Sequence, residues 1–154
     1  MAAKGYYFGF GYLMGPQFME KKGMKYLSRD AASLPGYQMK FLADAGRGDG
    51  TCFPTLVKDE SSTVYGALYG LDDGGLNKLD DIVHTNKGYY HRANFTVVVR
   101  DTQEKVEATT YVAGDHCVKE GLKPNQGYVK VLVEAIDPDI LPEDYIKYLK
   151  SFQQ

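Results

Sequence analysis

Along most of the chain, apolar and polar positions trade places with a period of two, the spacing of strands; two stretches follow the spacing of a helix. Residues 5–13, Gly-Tyr-Tyr-Phe-Gly-Phe-Gly-Tyr-Leu, form an almost unbroken apolar run and are expected to be a buried strand. Residues 17–28 are polar with scattered Met, which fits a short helix or a loop. Leu34-Pro35-Gly36 signals a turn, and Tyr37 to Leu42 alternates as a half-buried strand. Residues 45–50 carry three glycines and read as a loop. Thr51 to Val57 reads as a short strand that Pro54 assigns to an edge or a bulge, and Thr63 to Leu71 as a further strand.

The first helical stretch is expected to start at Asp72 as N-cap, to place Leu76 and Leu79 on one face, and to end near Asp80 and Asp81. Tyr89 to Arg100 and Val106 to Val112 are predicted to pair as a hairpin across residues 101–105, and Tyr128 to Val133 to form another strand. Pro142 opens a C-terminal helix with acids in its first turn and lysines further on, in keeping with the helix dipole. Six or seven strands, two or three helices and no regular βαβ alternation imply an α+β fold with a mixed, curled or barrel-like sheet. At 154 residues the chain is expected to be a single domain, 1–154.

Composition narrows the function classes. A net charge of −2, with only Lys21, Lys22 and Lys25 clustered, argues against nucleic acid as a partner. No signal peptide and no long apolar segment is visible, so no membrane is expected and the location should be cytoplasmic. Cys52 and Cys117 lack metal-ligand spacing and read as free thiols, so no metal is expected. Thirteen Tyr and seven Phe with no Trp suit strand surfaces and the walls of a pocket for a small molecule. The oligomeric state is left open between monomer and homodimer.

Glycines at 9, 11 and 15 follow the first apolar run directly. Glycine tolerates close approach to the backbone, so Phe8, Gly9, Phe10, Gly11, Tyr12 and Leu13 can form a cradle of amide N–H groups for an anion or a carbonyl oxygen. A dinucleotide fingerprint does not fit: the glycine spacing is one residue too long, and the charged segment that follows is broken by Gly23. No cofactor is expected.

Several motifs occur in a fixed order: Tyr7-Phe8-Gly9-Phe10-Gly11, Gly66-Ala-Leu-Tyr-Gly-Leu, Leu76-x-x-Leu79-Asp80-Asp81, Gly88-Tyr89-Tyr90-His91-Arg92, Tyr128, and Leu141-Pro142-Glu-Asp-Tyr145. This order resembles the γ-glutamylcyclotransferase-like family, which includes the plant AIG2-like proteins and the γ-glutamylamine cyclotransferases. The resemblance implies a small mixed β-barrel flanked by helices. It also implies an intramolecular attack of a γ-glutamyl α-amine on its own side-chain carbonyl, releasing 5-oxoproline, with orientation supplying much of the rate. The amide cradle then holds the developing oxyanion, and a glutamate takes the ammonium proton.

The resemblance puts that glutamate four residues after Leu79, where this chain has Val83. Tyr12 stands where the family carries Ser or Thr. Both departures make the expected pocket less anionic and more aromatic, so the leading expectation is a divergent enzyme acting on an apolar or aromatic carbonyl compound. A true cyclotransferase with a substitute base and a binding protein without turnover remain the alternatives. His84, beside Val83, is a candidate base because its unperturbed pKa lies near neutrality. Glu134 is another, since strand parity would put it on the same face as Tyr128. Tyr128, matched to a family tyrosine, is a candidate hydroxyl donor, and Arg92 a candidate partner for an acidic substrate.

Overall fold

The computed structural model describes residues 3–83 and 85–154. Six strands are present among them: β1 (Gly5–Gly9), β2 (Ser28–Ala43), β3 (Thr51–Leu71), β4 (Tyr90–Val99), β5 (Lys105–Ala113) and β6 (Lys123–Pro124). The helices are α1 (Pro16–Lys21), α2 (Gly75–Ile82), α3 (Gln126–Glu134) and α4 (Glu143–Lys150). The order β1-β5-β4-β2-β3 closes on itself because β1 also pairs with β3, from Gly5↔Leu71 to Gly9↔Ala67. The result is a closed five-stranded barrel. The β1–β5 contact is parallel and the other barrel pairings are antiparallel, so the sheet is mixed. The two-residue β6 adds in parallel to the start of β3.

Two glycines allow that closure to be tight. A Cβ on Gly66 of β3 would collide with the carbonyl of Gly9, so only hydrogen fits where the first strand crosses. Gly9 is itself hemmed in by Met14 and the Tyr7 ring. The main core fills the barrel and the space under the helices, with Phe8, Met14, Met39, Leu68, Leu79, Leu132 and Leu149 almost fully buried. Burying each such side chain contributes about 1.5–3 kcal/mol, so the core holds α2, α3 and α4 against the sheet.

The β4–β5 hairpin runs from Tyr90↔Ala113 to Val98↔Lys105, as its alternation implies. Elsewhere the structure differs from the sequence reading. The first strand stops at Gly9, and Tyr12–Met14 form a 3₁₀ turn that leads into Pro16 of α1. Leu34-Pro35-Gly36 is an irregularity inside one long β2, because the ladder with β3 resumes on its far side at Tyr37↔Lys58. Thr51–Leu71 is likewise one strand; Asp59 caps a local turn by accepting from the Ser61 amide and the Ser61 and Ser62 hydroxyls. Gly74 takes the N-cap position assigned to Asp72, whose carbonyl accepts from the Gly75 amide.

Tyr128 to Val133 is not a strand but the body of α3. The Asn125 side chain accepts from the Tyr128 amide at 2.9 Å and nucleates the first turn. Val129 and Leu132, three apart, then bury on one face. Core packing outweighs the strand preference of Val129, Val131 and Val133. Among the described residues no helix is long and apolar enough to cross a membrane.

Candidate functional site

A cavity of about 460 Å³ opens where the glycine turn, the ends of β3, β4 and β5, and α3 meet. Aromatic residues make up half of its lining: Tyr7, Phe10, Tyr12, Phe53, Tyr89, Tyr90, Tyr111 and Tyr128. Gly11, Leu13, Val83, Ala45, Pro54 and Thr110 fill the gaps between them, and Arg47 and Lys87 contribute charge at the exposed rim. No Asp or Glu side chain lines it among the described residues.

The turn is held from behind. The Met14 carbonyl accepts from the Tyr69 hydroxyl at 2.7 Å and from Arg29 Nη2 at 3.1 Å, while Arg29 Nη1 pairs with Asp137 at 3.2 Å. These bonds fix the 3₁₀ turn against β2, β3 and the segment after α3. The Gly11 and Tyr12 carbonyls accept from the Met14 and Gly15 amides. The Tyr12 amide donates to the Tyr128 hydroxyl at 3.2 Å. Part of the amide cradle is thus already occupied by a phenol from α3, and the Tyr12 and Tyr128 rings meet edge to face at 5.6 Å. A Cβ on Gly11 would collide with the same hydroxyl, so the contact requires glycine.

The other phenols differ in what they hold. Tyr90 donates to the Pro54 carbonyl at 2.8 Å, which fixes the start of β4 against β3. Tyr111 donates to Asp80 Oδ1 at 2.7 Å. Tyr7 is 5% exposed, and its hydroxyl has no hydrogen-bond partner among the described residues although its side chain forms part of the cavity wall. Burial first, and then the neighbouring phenols of Tyr128, Tyr111 and Tyr12, push the Tyr7 pKa well above that of a free phenol. Burial likewise raises Tyr12, Tyr90, Tyr111 and Tyr128. At neutral pH the wall is therefore a set of neutral hydroxyls, suited to donating hydrogen bonds rather than taking protons.

A carboxylate just outside the wall, that of Asp80, stands behind Tyr111 and is held by Arg92 through Nε and Nη2, each at 2.7 Å. The Arg92 hydrogen bonds lower its pKa below the usual carboxylate value. Arg92 Nη2 also bonds Asn77 Oδ1 at 2.9 Å. The pair ties α2 to β4 and β5 and sets where Val83, the C-cap of α2, meets the cavity.

Of the residues singled out from sequence, Phe10, Gly11, Tyr12, Leu13, Val83 and Tyr128 come together on the cavity wall. Phe8 points into the core at 1% exposure, and Gly9 serves the β1–β3 crossing. Arg92 is spent on Asp80 and Asn77 outside the cavity. Glu134 is exposed at the end of α3, where its carbonyl accepts from Gln17. Six residues along a helix turn a side chain through about 240° rather than back to the same face, so Glu134 and Tyr128 diverge. His84 lies outside the described residues. Tyr7, Phe53, Tyr89, Tyr90 and Tyr111 were not among the site candidates; Tyr7, Tyr89 and Tyr90 stand in the ordered motifs, and the abundance of Tyr and Phe was the general signal for the rest. No group of three or more His, Cys, Asp or Glu side chains able to hold a metal occurs among the described residues.

A sequence model of the AIG2-like family matches residues 63–149. No curated protein matches the chain. Among solved structures, one titled a γ-glutamyl cyclotransferase superposes with a TM-score of 0.78 at 19% identity, covering 96% of this chain and 86% of that one. A γ-glutamyl cyclotransferase from yeast, described as specific to glutathione, gives 0.66 at 12% identity over 97% of this chain and 94% of its own. An AIG2-like protein from Mus musculus gives 0.52 at 17% identity, covering 82% of this chain and 99% of that one. The barrel and its helices are the γ-glutamylcyclotransferase-like fold.

Proposed function

This chain belongs to the AIG2-like family, and from that premise we propose that it is a cyclotransferase-type enzyme turned to a small apolar or aromatic carbonyl compound. The reaction class is a cyclisation, isomerisation, elimination or hydrolysis that begins from a polarised carbonyl. The cavity wall carries this reading: rich in aromatic rings, with the Val83 isopropyl group and no carboxylate among its described residues. A γ-glutamyl substrate arrives with a protonated amine, and loss of the general base that deprotonates it costs about 10²–10⁴ in rate. Neutral phenols do not replace that base, and Asp80 is committed to Arg92. What the site offers instead is a hydrogen-bonding floor, formed by the turn backbone and the Tyr128 hydroxyl, beneath an apolar chamber.

The test is incubation with γ-glutamyl-alanine, γ-glutamyl-lysine and glutathione, following 5-oxoproline. The native protein is expected to release it far below the ~1–10³ s⁻¹ usual for enzymes, and Val83→Glu to raise that release at least tenfold. Release of 5-oxoproline at ordinary enzymatic rates by the native protein removes the reading.

A binding protein without turnover is the second reading, favoured by one observation: the Tyr12 amide, a member of the cradle, is already satisfied by Tyr128. A carbonyl ligand that co-purifies and survives prolonged incubation unchanged would support it.

A further inference from the structure

The hydroxyl of Tyr7 has no role in the fold that the structure reveals. Its ring packs against Tyr69 at 6.3 Å and Tyr111 at 6.0 Å between centroids, and nineteen-twentieths of the residue is buried. The Tyr111 and Tyr90 hydroxyls donate to protein acceptors and Tyr128 accepts from Tyr12; that of Tyr7 meets no partner among the described residues and borders the cavity. Among the described residues only the Tyr145 hydroxyl is both sealed from solvent and unpaired, so the Tyr7 hydroxyl opens on the cavity, and an occupant that covers it without offering an acceptor leaves it unpaired at a cost that a phenylalanine would not bear. Tyr128 has a related surplus: its oxygen accepts from the Tyr12 amide, but its own proton has no acceptor among the described residues. Two O–H donors on one wall suit one shared acceptor.

Charge at the mouth adds a second constraint. In the surrounding loops Arg47 is paired with Asp49 at 3.0 Å and Asp44 with Lys119 at 2.8 Å. Lys87, on the rim, has no ion-pair partner among the described residues.

We propose that Tyr7 and Tyr128 together hold a carbonyl oxygen of the occupant, and that the occupant is an aromatic keto acid whose carboxylate reaches Lys87 at the rim. The aryl group lies among Phe10, Phe53 and Tyr90. This rests on the reading that the cavity takes an apolar carbonyl compound, and it adds the groups that recognise the oxygen and the acid. Tyr7 is thereby a specificity-determining residue, since an occupant without the carbonyl leaves its hydroxyl buried and unpaired. A volume of about 460 Å³ is ample for such a molecule.

Calorimetry with three probes separates the parts: 4-oxo-4-phenylbutanoate, 4-phenylbutanoate, which lacks the ketone, and butyrophenone, which lacks the acid. The native protein is expected to favour the keto acid over 4-phenylbutanoate by about tenfold, the scale of the hydrogen bonds to one neutral carbonyl. Tyr7→Phe should cut that ratio about threefold, the share of one of the two hydrogen bonds, while 4-phenylbutanoate binds no more weakly. Lys87→Ala should bring the keto acid down toward butyrophenone. A ketone preference that Tyr7→Phe leaves undiminished overturns the assignment, as does equal binding of all three probes, while the apolar-pocket reading stands. If none of the probes binds at millimolar concentration, that reading falls as well. Should Tyr7→Phe fail to fold, the C=O stretch of ¹³C-labelled keto acid on the native protein decides. A shift to lower frequency than in hydrocarbon solvent is expected, and an unshifted band overturns the assignment.

Discussion

Replacing Asp80 by Asn tests whether the joint behind the cavity is what holds its wall. The carboxylate accepts three hydrogen bonds at 2.7 Å, two from Arg92 and one from Tyr111. Its side chain is 25% exposed and that of Arg92 38%, so the ion pair is screened by solvent. Tyr111 retains a longer contact to the Leu76 carbonyl at 3.3 Å when Asp80 weakens. Asparagine keeps one acceptor oxygen and loses the charge. Together these place the loss at roughly 1 kcal/mol for Asp80→Asn and roughly 2 kcal/mol for Asp80→Ala. At about 2–4 °C per kcal/mol for a chain of this size, both losses are measurable in thermal melts.

Acid supplies an internal control. Arg92 lowers the folded-state pKa of Asp80, so the stability it contributes is complete above the unfolded value of about 4 and is lost as pH falls through the lower folded value. The gap between native protein and Asp80→Asn should therefore be full at pH 7 and close as the solution is acidified below about pH 4. A variant melting within 1 °C of the native protein at pH 7, or a gap that widens in acid, refutes the account.

Three further expectations follow from contacts already described. Gly11→Ala drives a methyl group into the Tyr128 hydroxyl; it should cost about 1–3 kcal/mol and weaken binding of the keto acid, checked by denaturant titration and calorimetry. Asn125→Ala removes the cap of α3 and a bond to Thr51 Oγ1; a loss of roughly 1 kcal/mol in urea unfolding is expected, and none would return α3 to packing alone. Cys52 and Cys117 are free and buried, and burial raises the Cys52 pKa; both should resist maleimide at pH 7 until denaturant is added, and prompt labelling of Cys52 would contradict its burial.

Legibility in the sequence followed the physical range of each signal. The β4–β5 hairpin was readable because period-two alternation and a polar turn are local. The α3 helix was misread because valines at 129, 131 and 133 alternate like a strand, and the Asn125 cap lies outside that run. Gly36 and the polar segment 58–62 looked like breaks between strands, whereas long-range pairing carries β2 and β3 through them. The glycine turn, Val83 and Tyr128 were identified as candidates from motif order, although each reaches the cavity from a different element. Tyr7, Tyr90 and Tyr111 were not among the site candidates because only barrel closure decides which face of a strand meets the cavity.

The crossing of β1 over Gly66 has a kinetic corollary. The first stave of the barrel finds its partners only around residues 67–71 and at residue 109. Pairings of such sequence separation slow folding, and during synthesis Tyr7 can meet Tyr69 before half of the polypeptide is made, whereas Thr109, which completes the closure, comes only after about seven-tenths of it. The chamber is therefore assembled late, and an intermediate lacking that stave would expose the edges of β3 and β5 to aggregation.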